Sequence, residues 1–117
     1  MSAKIFGIKN CNTMKKTFVF FQNEGISYDF VDYKKEKPSR ELLVKFSEKL
    51  GLDQVVNRKG MTFRKLSDQE KELTQQVETA IPLLQEKSSM IKRPIIEFPN
   101  GELLVGFDEE AILAKGR

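Results

Sequence analysis

KIFGIKNCNTMKKTFVFF, residues 4–21, has the pattern of a short apolar strand, a tight loop and an amphipathic helix. The strand is a compact apolar run, whereas the helix has apolar residues at i, i+4 and i+7, namely Met14, Phe18 and Phe21. This change of spacing places Cys11, the only cysteine of the chain, in the loop just before the helix. The stretch therefore predicts a βα unit with a thiol at its turn.

The predicted position of Cys11 favours an anion. The first N–H groups of a helix have no helical partner, and the aligned peptide dipoles leave about half a positive charge there. Lys9, Lys15 and Lys16 add positive charge nearby. A thiol in such a place can have a pKa below the free value of about 8.5, and the thiolate is the nucleophilic form. A lone cysteine is also common as a small buried apolar residue, so position alone leaves a chemical and a structural role open.

Length and composition predict one soluble domain. The chain has 117 residues, of which 39% are hydrophobic and 32% charged, and it has no long apolar run that would cross a membrane or direct secretion. One cysteine cannot form an internal disulfide, and a free thiol suits a reducing compartment, so we expect a cytoplasmic protein. The net charge of +3 suits anionic small substrates, nucleic acid or an acidic protein partner. Without a cluster of aromatic and basic residues, nucleic acid is disfavoured.

The absence of histidine narrows the possible chemistry. Without imidazole the chain has no Cys/His or Ser/His pair and no zinc site of the histidine kind, and we expect no metal site. Activation of a nucleophile must then be electrostatic. Any redox partner must be another molecule, because the chain offers no second cysteine.

After the first helix, the sequence predicts a second strand and a βαβ unit. Gly25 is a helix stop, and apolar residues then alternate at Ile26, Tyr28 and Phe30. Such crossovers are right-handed and join parallel strands, so Cys11 is expected at the C-terminal end of the first strand. Ligands of open α/β sheets bind at that edge.

Approximately residues 37–90 are predicted to form a helical insertion within a single domain that spans 1–117. Ser67 with Glu70 is a capping-box signature for a helix that continues to Pro82, where it restarts or kinks. The residues that this helix is expected to bury are Leu73, Val77 and Ala80.

The C-terminal part predicts a β-hairpin and a closing helix. PIIEF at 94–98 and ELLVGF at 102–107 are apolar runs joined by the turn PNG. Asp108, followed by an apolar face at Ile112 and Leu113, indicates a short capped helix. A parallel pair of strands followed by an antiparallel pair predicts an α/β, thioredoxin-like fold. It has a mixed four-stranded sheet, βαβ plus ββα, and an inserted helical subdomain.

Three separated motifs carry a resemblance to a known family. They are GIKNCNTMKK at 7–16, NRKG with its following TFRKL at 57–66, and IKRP with its following LLVGF run at 91–107. The chain resembles the arsenate reductase (ArsC) family of the thioredoxin-like superfamily, especially its YffB and Spx-like branch. Order and spacing agree along essentially the whole chain, and the family's fold is a thioredoxin-like sheet with an inserted helical subdomain.

The resemblance implies roles at the matching positions. Cys11 matches the family's nucleophilic or redox cysteine. Arg58 and Arg93 match basic residues that hold an oxyanion, or the carboxylates of a thiol cofactor, beside that cysteine, and a guanidinium fork suits such bidentate binding. Pro94 matches the proline that opens the third strand, which is expected to follow a cis peptide bond beside the cysteine. The expected anion- or glutathione-binding set is Lys9, Asn12, Lys15, Arg58, Arg93 and Pro94.

Three departures from the family pattern limit the chemistry. Met14 stands where redox-switch members have a second cysteine, so an internal CxxC disulfide is excluded. Gly7 stands where glutathione-using arsenate reductases have a histidine, and Gly106 stands where a third arginine is expected. Two of the expected arsenate-handling groups are therefore missing, which disfavours arsenate.

The sequence thus predicts a thiol-dependent oxidoreductase in which the Cys11 thiolate attacks an electrophilic sulfur or a bound oxyanion. No cofactor is expected to be bound, and glutathione is expected as reductant or co-substrate, with a glutaredoxin-type thiol as another possible partner. Two alternatives stay open. One is a non-enzymatic, Spx-like regulator that binds the RNA polymerase α subunit, and the other is an arsenate reductase that tolerates the missing groups.

Overall fold

The computed structural model describes residues 2–116, which form two units. The first unit contains the residues up to 36 and those from 93 onward, and it holds the whole sheet. The second unit contains residues 37–92 and is mainly helical. The elements are those of a mixed α/β protein, as the sequence predicts.

Four strands form one mixed sheet in the order β2-β1-β3-β4. Their bounds are β1 Ala3–Gly7, β2 Tyr28–Asp32, β3 Ile95–Glu97 and β4 Leu103–Val105. The β1 and β2 strands are parallel, whereas β3 is antiparallel to both β1 and β4. Ile5 of β1 lies opposite Phe30 on one side and Ile96 on the other. The predicted thioredoxin-like arrangement of βαβ plus ββα is confirmed.

Two helices, α1 (Asn12–Asn23) and α7 (Glu109–Gly116), belong to the same unit as the sheet. They bury one apolar side against it, which is why the helical spacing was visible in the sequence. The Asp108 carboxylate accepts a hydrogen bond of 3.2 Å from the N–H of Ala111, which confirms the predicted cap. The buried core cluster consists of Ala3, Ile5, Met14, Phe21, Ile96, Phe98 and Ile112.

The second unit contains five helices and a short 3₁₀ turn. The helices are α2 Arg40–Leu50, α3 Leu52–Val55, α4 Met61–Arg64, α5 Asp68–Leu73 and α6 Val77–Glu86, and the turn is Ser88–Met90. Leu43 and Phe46 of α2 are fully buried. An antiparallel bridge joins Val56, just after α3, to Ile91 near the end of the unit.

The helix predicted from Ser67 is two helices rather than one. The capping box of Ser67 and Glu70 is present, but α5 ends at Leu73, where the Thr79 hydroxyl donates a 2.6 Å hydrogen bond to the Leu73 carbonyl. The chain then turns, so residues on either side of the break no longer share a face. Leu73 is 41% exposed and Val77 is half-buried, so their predicted burial was wrong, whereas Ala80 is buried.

Pro82 does not restart a helix, which was one of its two predicted effects. It sits inside α6 and is exposed, and the helix continues through it to Glu86. A proline removes one backbone hydrogen bond, but the buried Ile81, Leu83 and Leu84 hold this helix in place. Among residues 2–116, no helix has the length and apolar character needed to cross a membrane.

Candidate thiol site

Cys11 is the N-cap residue of α1, four residues after the end of β1. Its backbone is extended, with φ −148° and ψ 131°, as is usual for a residue that precedes a helix. Its carbonyl accepts the first helical hydrogen bond, 3.0 Å from the N–H of Lys15, and its own N–H donates to the Lys9 carbonyl at 3.1 Å. The side chain is half-buried against the core cluster. The thiol is thus fixed at the helix start while part of it remains accessible.

The surroundings of the thiol favour its ionised form. Partial burial raises the pKa of the Cys11 thiol, but the N–H of Met14, the side chain of Arg93 and the N–H of Thr13 lower it, and the net pKa lies below its ordinary value. In the described part of the chain, the Cys11 side chain makes no cap hydrogen bond of ordinary geometry. The helix N–H groups therefore lower the pKa mainly by stabilising the negative charge of the thiolate.

Arg93→Ala should raise the pKa of the Cys11 thiol. The variant removes both a hydrogen bond to the sulfur and a nearby positive charge, so the pKa should move toward about 8.5, the value of a free thiol. Thiolate absorbance followed against pH measures the change. Arg40→Ala, at an exposed position in the other unit, is the matched control. Equal titration curves for Arg93→Ala and the unaltered protein would contradict this account.

Pro94 immediately follows Arg93 and precedes β3. The Arg93–Pro94 peptide bond is cis, as predicted. Pro94 is buried, and its carbonyl accepts a 2.8 Å hydrogen bond from the N–H of Gly106. The start of β3 is thereby attached to the segment after β4, and this fixes the backbone that carries Arg93.

Gly7 and Met14, two of the departures from the family pattern, occupy one shared space. A Cβ placed on Gly7 would lie 2.6 Å from both Sδ and Cε of Met14 and 3.4 Å from Cβ of Arg93. Met14 is fully buried in the core cluster. The methionine side chain therefore fills the room that a side chain at position 7 would need. A histidine there would be incompatible with this packing.

The remaining predicted residues of the helix start lie where the sequence placed them. Lys9 is in the loop after β1, Asn12 is the first residue of α1, and Lys15 lies one turn further on. Asn12 and Lys15 are exposed, as is the neighbouring Lys16. All of them belong to the unit that contains Cys11, and their role in binding an anion stays a prediction.

Arg58 belongs to the helical unit and is held within it. Its Nε and Nη2 donate to Oδ1 of Asp53 at 3.2 and 2.9 Å. Its Nη1 donates to the Thr74 hydroxyl at 2.8 Å, and Nη2 also donates to the Thr74 carbonyl at 2.9 Å. The guanidinium lies 5.7 Å from the ring centroid of Phe63. Most of its N–H groups are therefore engaged, and its predicted role beside Cys11 stays a prediction.

Arg58→Lys should lower the free energy of unfolding. An ammonium cannot reproduce the planar contacts with Asp53 and the buried Thr74, so the expected loss is about 1–3 kcal/mol. Urea unfolding measures it, with Arg64→Lys as the exposed control in the same unit. A change no larger than that of the control would show that these bonds do not stabilise the unit.

Sequence reasoning missed the part played by Met14 and Thr13. Their contribution comes from backbone N–H groups, which every residue type carries, so only the helix start itself signals it. No group of three or more potential metal ligands occurs among residues 2–116.

The fold and the site together define a thioredoxin-like protein with one cysteine at the start of its first helix. The ArsC family matches residues 6–115. The chain therefore belongs to the ArsC family.

Curated relatives match most of the chain. A Haemophilus influenzae protein described as uncharacterized is 34% identical over 106 residues, which is 91% of each chain. YusI from Bacillus subtilis is 30% identical over 113 residues, which is 94% of each chain. Neither description adds a reaction to the family assignment.

Solved structures share the fold over nearly the full length. A protein named YffB is 39% identical, with a TM-score of 0.92 over 99% of this chain and 100% of that one. An arsenate-reductase-related protein from Brucella melitensis is 41% identical, with a TM-score of 0.76 over 97% and 93%. An arsenate reductase from Vibrio cholerae is 23% identical, with a TM-score of 0.76 over 98% of both, which shows the fold alone.

Proposed function

We propose that this protein is a glutathione-dependent thiol oxidoreductase in which Cys11 is the nucleophile. The observation that carries the proposal is the position of the thiol between the helix-start N–H groups and the Arg93 side chain, which lower its pKa. A larger thiolate fraction at neutral pH means more of the attacking species. Its fixed position and partial exposure suit an in-line approach to a substrate sulfur.

The proposed reaction is thiol–disulfide exchange in two steps. The Cys11 thiolate attacks one sulfur of a substrate disulfide, and the other sulfur leaves as a thiolate and takes up a proton. A second thiol must then attack the mixed disulfide on Cys11, since the chain contains no second cysteine. If that thiol and the sulfur on Cys11 both belong to glutathione, oxidised glutathione leaves and the Cys11 thiolate is restored.

Glutathione suits the site because it brings carboxylates to a cationic surface. Arg93, Lys9 and Lys15 are the proposed partners of those carboxylates, with the amide of Asn12 as a further donor. Arg58 remains in the proposed set. We propose that the protein works in a reducing compartment such as the cytoplasm.

Incubation with oxidised glutathione should place one glutathione on Cys11, as measured by mass spectrometry of the intact protein. In Arg93→Ala, the affinity for glutathione measured by calorimetry should fall about ten- to a hundredfold, because a charge-assisted hydrogen bond is worth roughly 1.5–3 kcal/mol. Arg93→Lys should recover only part of that affinity. Failure of Cys11 to accept glutathione would refute the proposal. Copurification with RNA polymerase would then favour the Spx-like regulator.

A further inference from the structure

An open groove of about 570 Å³ runs along the outer face of α1 and belongs wholly to the unit that contains Cys11. Its apolar part includes Val19, which is 53% exposed, and the rings of Phe20 and Phe107, which meet edge-to-face at 5.7 Å. The groove therefore offers an exposed apolar side chain and two partly buried rings to a ligand, beside lysine and glutamate side chains. The lining residues are Lys15, Lys16, Val19, Phe20, Asn23, Phe107 and Glu109.

The groove begins close to the thiol and leads away from it. Lys15 lies one helical turn from Cys11, whereas Val19 lies about 12 Å from Cys11 along the axis at 1.5 Å per residue. Glutathione carries its sulfur on its middle residue, and even with the longer γ-linked glutamate extended its ends lie roughly 10 Å from that sulfur at most, which is short of Val19. A ligand that reacts at Cys11 and also covers Val19 must therefore be longer than glutathione.

The charges of the groove indicate the kind of ligand. Lys15 and Lys16, both exposed, stand at the end nearer to Cys11, and Glu109 contributes the only other charge of the lining. A basic end next to an apolar centre is complementary to a peptide segment that presents carboxylates and then an apolar side chain. That order is fixed by the direction of α1 from Cys11.

We propose that this groove docks the protein substrate of Cys11. The proposal rests on the function proposed above. The substrates are proteins that carry glutathione in a mixed disulfide, and the modified cysteine is followed by acidic residues and then by an apolar residue. The Cys11 thiolate takes the glutathione sulfur, and the protein sulfur leaves as a thiolate and is protonated. Free glutathione, which uses no residue of the groove beyond Lys15 at its near end, then attacks Cys11–S–S–glutathione and leaves as oxidised glutathione.

The test compares two synthetic peptides that each carry one glutathionylated cysteine. In the first, two glutamates follow the cysteine and a leucine stands about four residues from it, the spacing that spans 12 Å at roughly 3.3 Å per residue. In the second, lysines replace the glutamates and serine replaces the leucine. Each peptide is also made with its sequence reversed, so that the same residues precede the cysteine instead of following it. For one of the two sequence directions, the kcat/KM for release of the peptide thiol should be roughly tenfold higher with the first peptide than with the second. Exposed ion pairs contribute modestly, and one partly buried apolar side chain adds to them.

Variants of the groove should remove this preference. Val19→Asp and Lys16→Glu should bring the two peptides to equal kcat/KM. Met61→Asp, at a position 69% exposed in the other unit, and Lys34→Glu, at an exposed position after β2, should retain the preference. Equal rates for the two peptides with the unaltered protein, or a preference that survives in Val19→Asp, would overturn the inference.

Failure of the docking and failure of the proposed function have different signatures. If the small mixed disulfide of glutathione and cysteamine is reduced but the peptides do not differ, Cys11 chemistry stands and the groove is not a substrate dock. If no disulfide is reduced, the proposed function fails and the groove cannot be a substrate site. Fluorescence anisotropy with the peptides carrying serine in place of cysteine then shows whether it binds a protein partner instead.

Discussion

Replacing Cys11 with serine should abolish disulfide reduction. A serine hydroxyl stays protonated at neutral pH, is a far weaker nucleophile and cannot form a disulfide, so kcat should fall by at least about a thousandfold. The assay follows release of thiol from the mixed disulfide of glutathione and cysteamine with glutathione in excess. Thermal unfolding of Cys11→Ser serves as the control, since a half-buried, nearly isosteric side chain should leave the fold intact. Residual turnover above one-tenth of that of the unaltered protein would assign the chemistry elsewhere.

The pH dependence of kcat/KM for the mixed disulfide should report the ionisation of the Cys11 thiol, because this constant covers the attack by Cys11 and not the later attack by glutathione. Below the pKa of Cys11 the sulfur is protonated and the rate falls, and above it the thiolate is present and the rate reaches a plateau. Since the pKa of the Cys11 thiol lies below its ordinary value, the rise should come at lower pH than for a free thiol. In Arg93→Ala the rise should move to higher pH while the shape of the curve is preserved.

Gly7→Ala should destabilise the protein by about 1–3 kcal/mol, the usual cost of overpacking a filled core. The new Cβ would lie 2.6 Å from Sδ and Cε of Met14, and because that side chain is fully buried its flexible end can shift only by displacing other core atoms. Met14→Ala alone should cost about 2–5 kcal/mol, because it leaves a cavity. The double variant should cost less than the sum by at least about 0.5 kcal/mol, since alanine at position 14 vacates the space that the new Cβ needs. Urea unfolding of all four proteins measures this coupling.

A matched cycle pairs Gly7→Ala with Leu43→Ala. Leu43 is fully buried in α2, and it is not among the nearest neighbours that a Cβ on Gly7 would meet, so the effects of the two changes should add. Additivity in both cycles would contradict the inference that Gly7 and Met14 are one packing arrangement. Gly7→His should likewise lower the free energy of unfolding less in a Met14→Ala background than in the otherwise unaltered protein.

Local sequence signals predicted much of the fold because each depends on near neighbours along the chain. The βα unit followed from the change of apolar spacing around Cys11, and the capping box of Ser67 and Glu70 is present as predicted. The antiparallel hairpin of β3 and β4 and the cap by Asp108 were equally visible. These features depend on backbone hydrogen bonds and on side chains a few residues apart, so the local sequence is enough to predict them.

The sequence was less informative where separate elements compete for space or for hydrogen bonds. The apolar periodicity continues through Leu73, but the helix ends there and the Leu73 carbonyl accepts a hydrogen bond from the Thr79 hydroxyl. A pattern of apolar residues does not encode such a hydrogen bond. The family resemblance implied an anion-binding role for Arg58, which stays a prediction, but it gave no sign that the guanidinium donates to Asp53 and Thr74. A motif that contains an arginine predicts a positive charge, but it does not show which hydrogen-bond acceptors the guanidinium will contact in the folded chain.

By itself, the sequence determined that a single thiol stands at a helix start, with no histidine and no second cysteine to assist it. The family resemblance implied that Arg93 lies beside the thiol, but only the tertiary structure shows how it gets there, because Arg93 is distant along the chain and reaches Cys11 after β3 pairs with β1. The tertiary structure also decided that Gly7 and Met14 share one space, since steric exclusion depends on distances in three dimensions. The groove beside α1 arises in the same way, because Phe107 meets Phe20 only when the hairpin has folded.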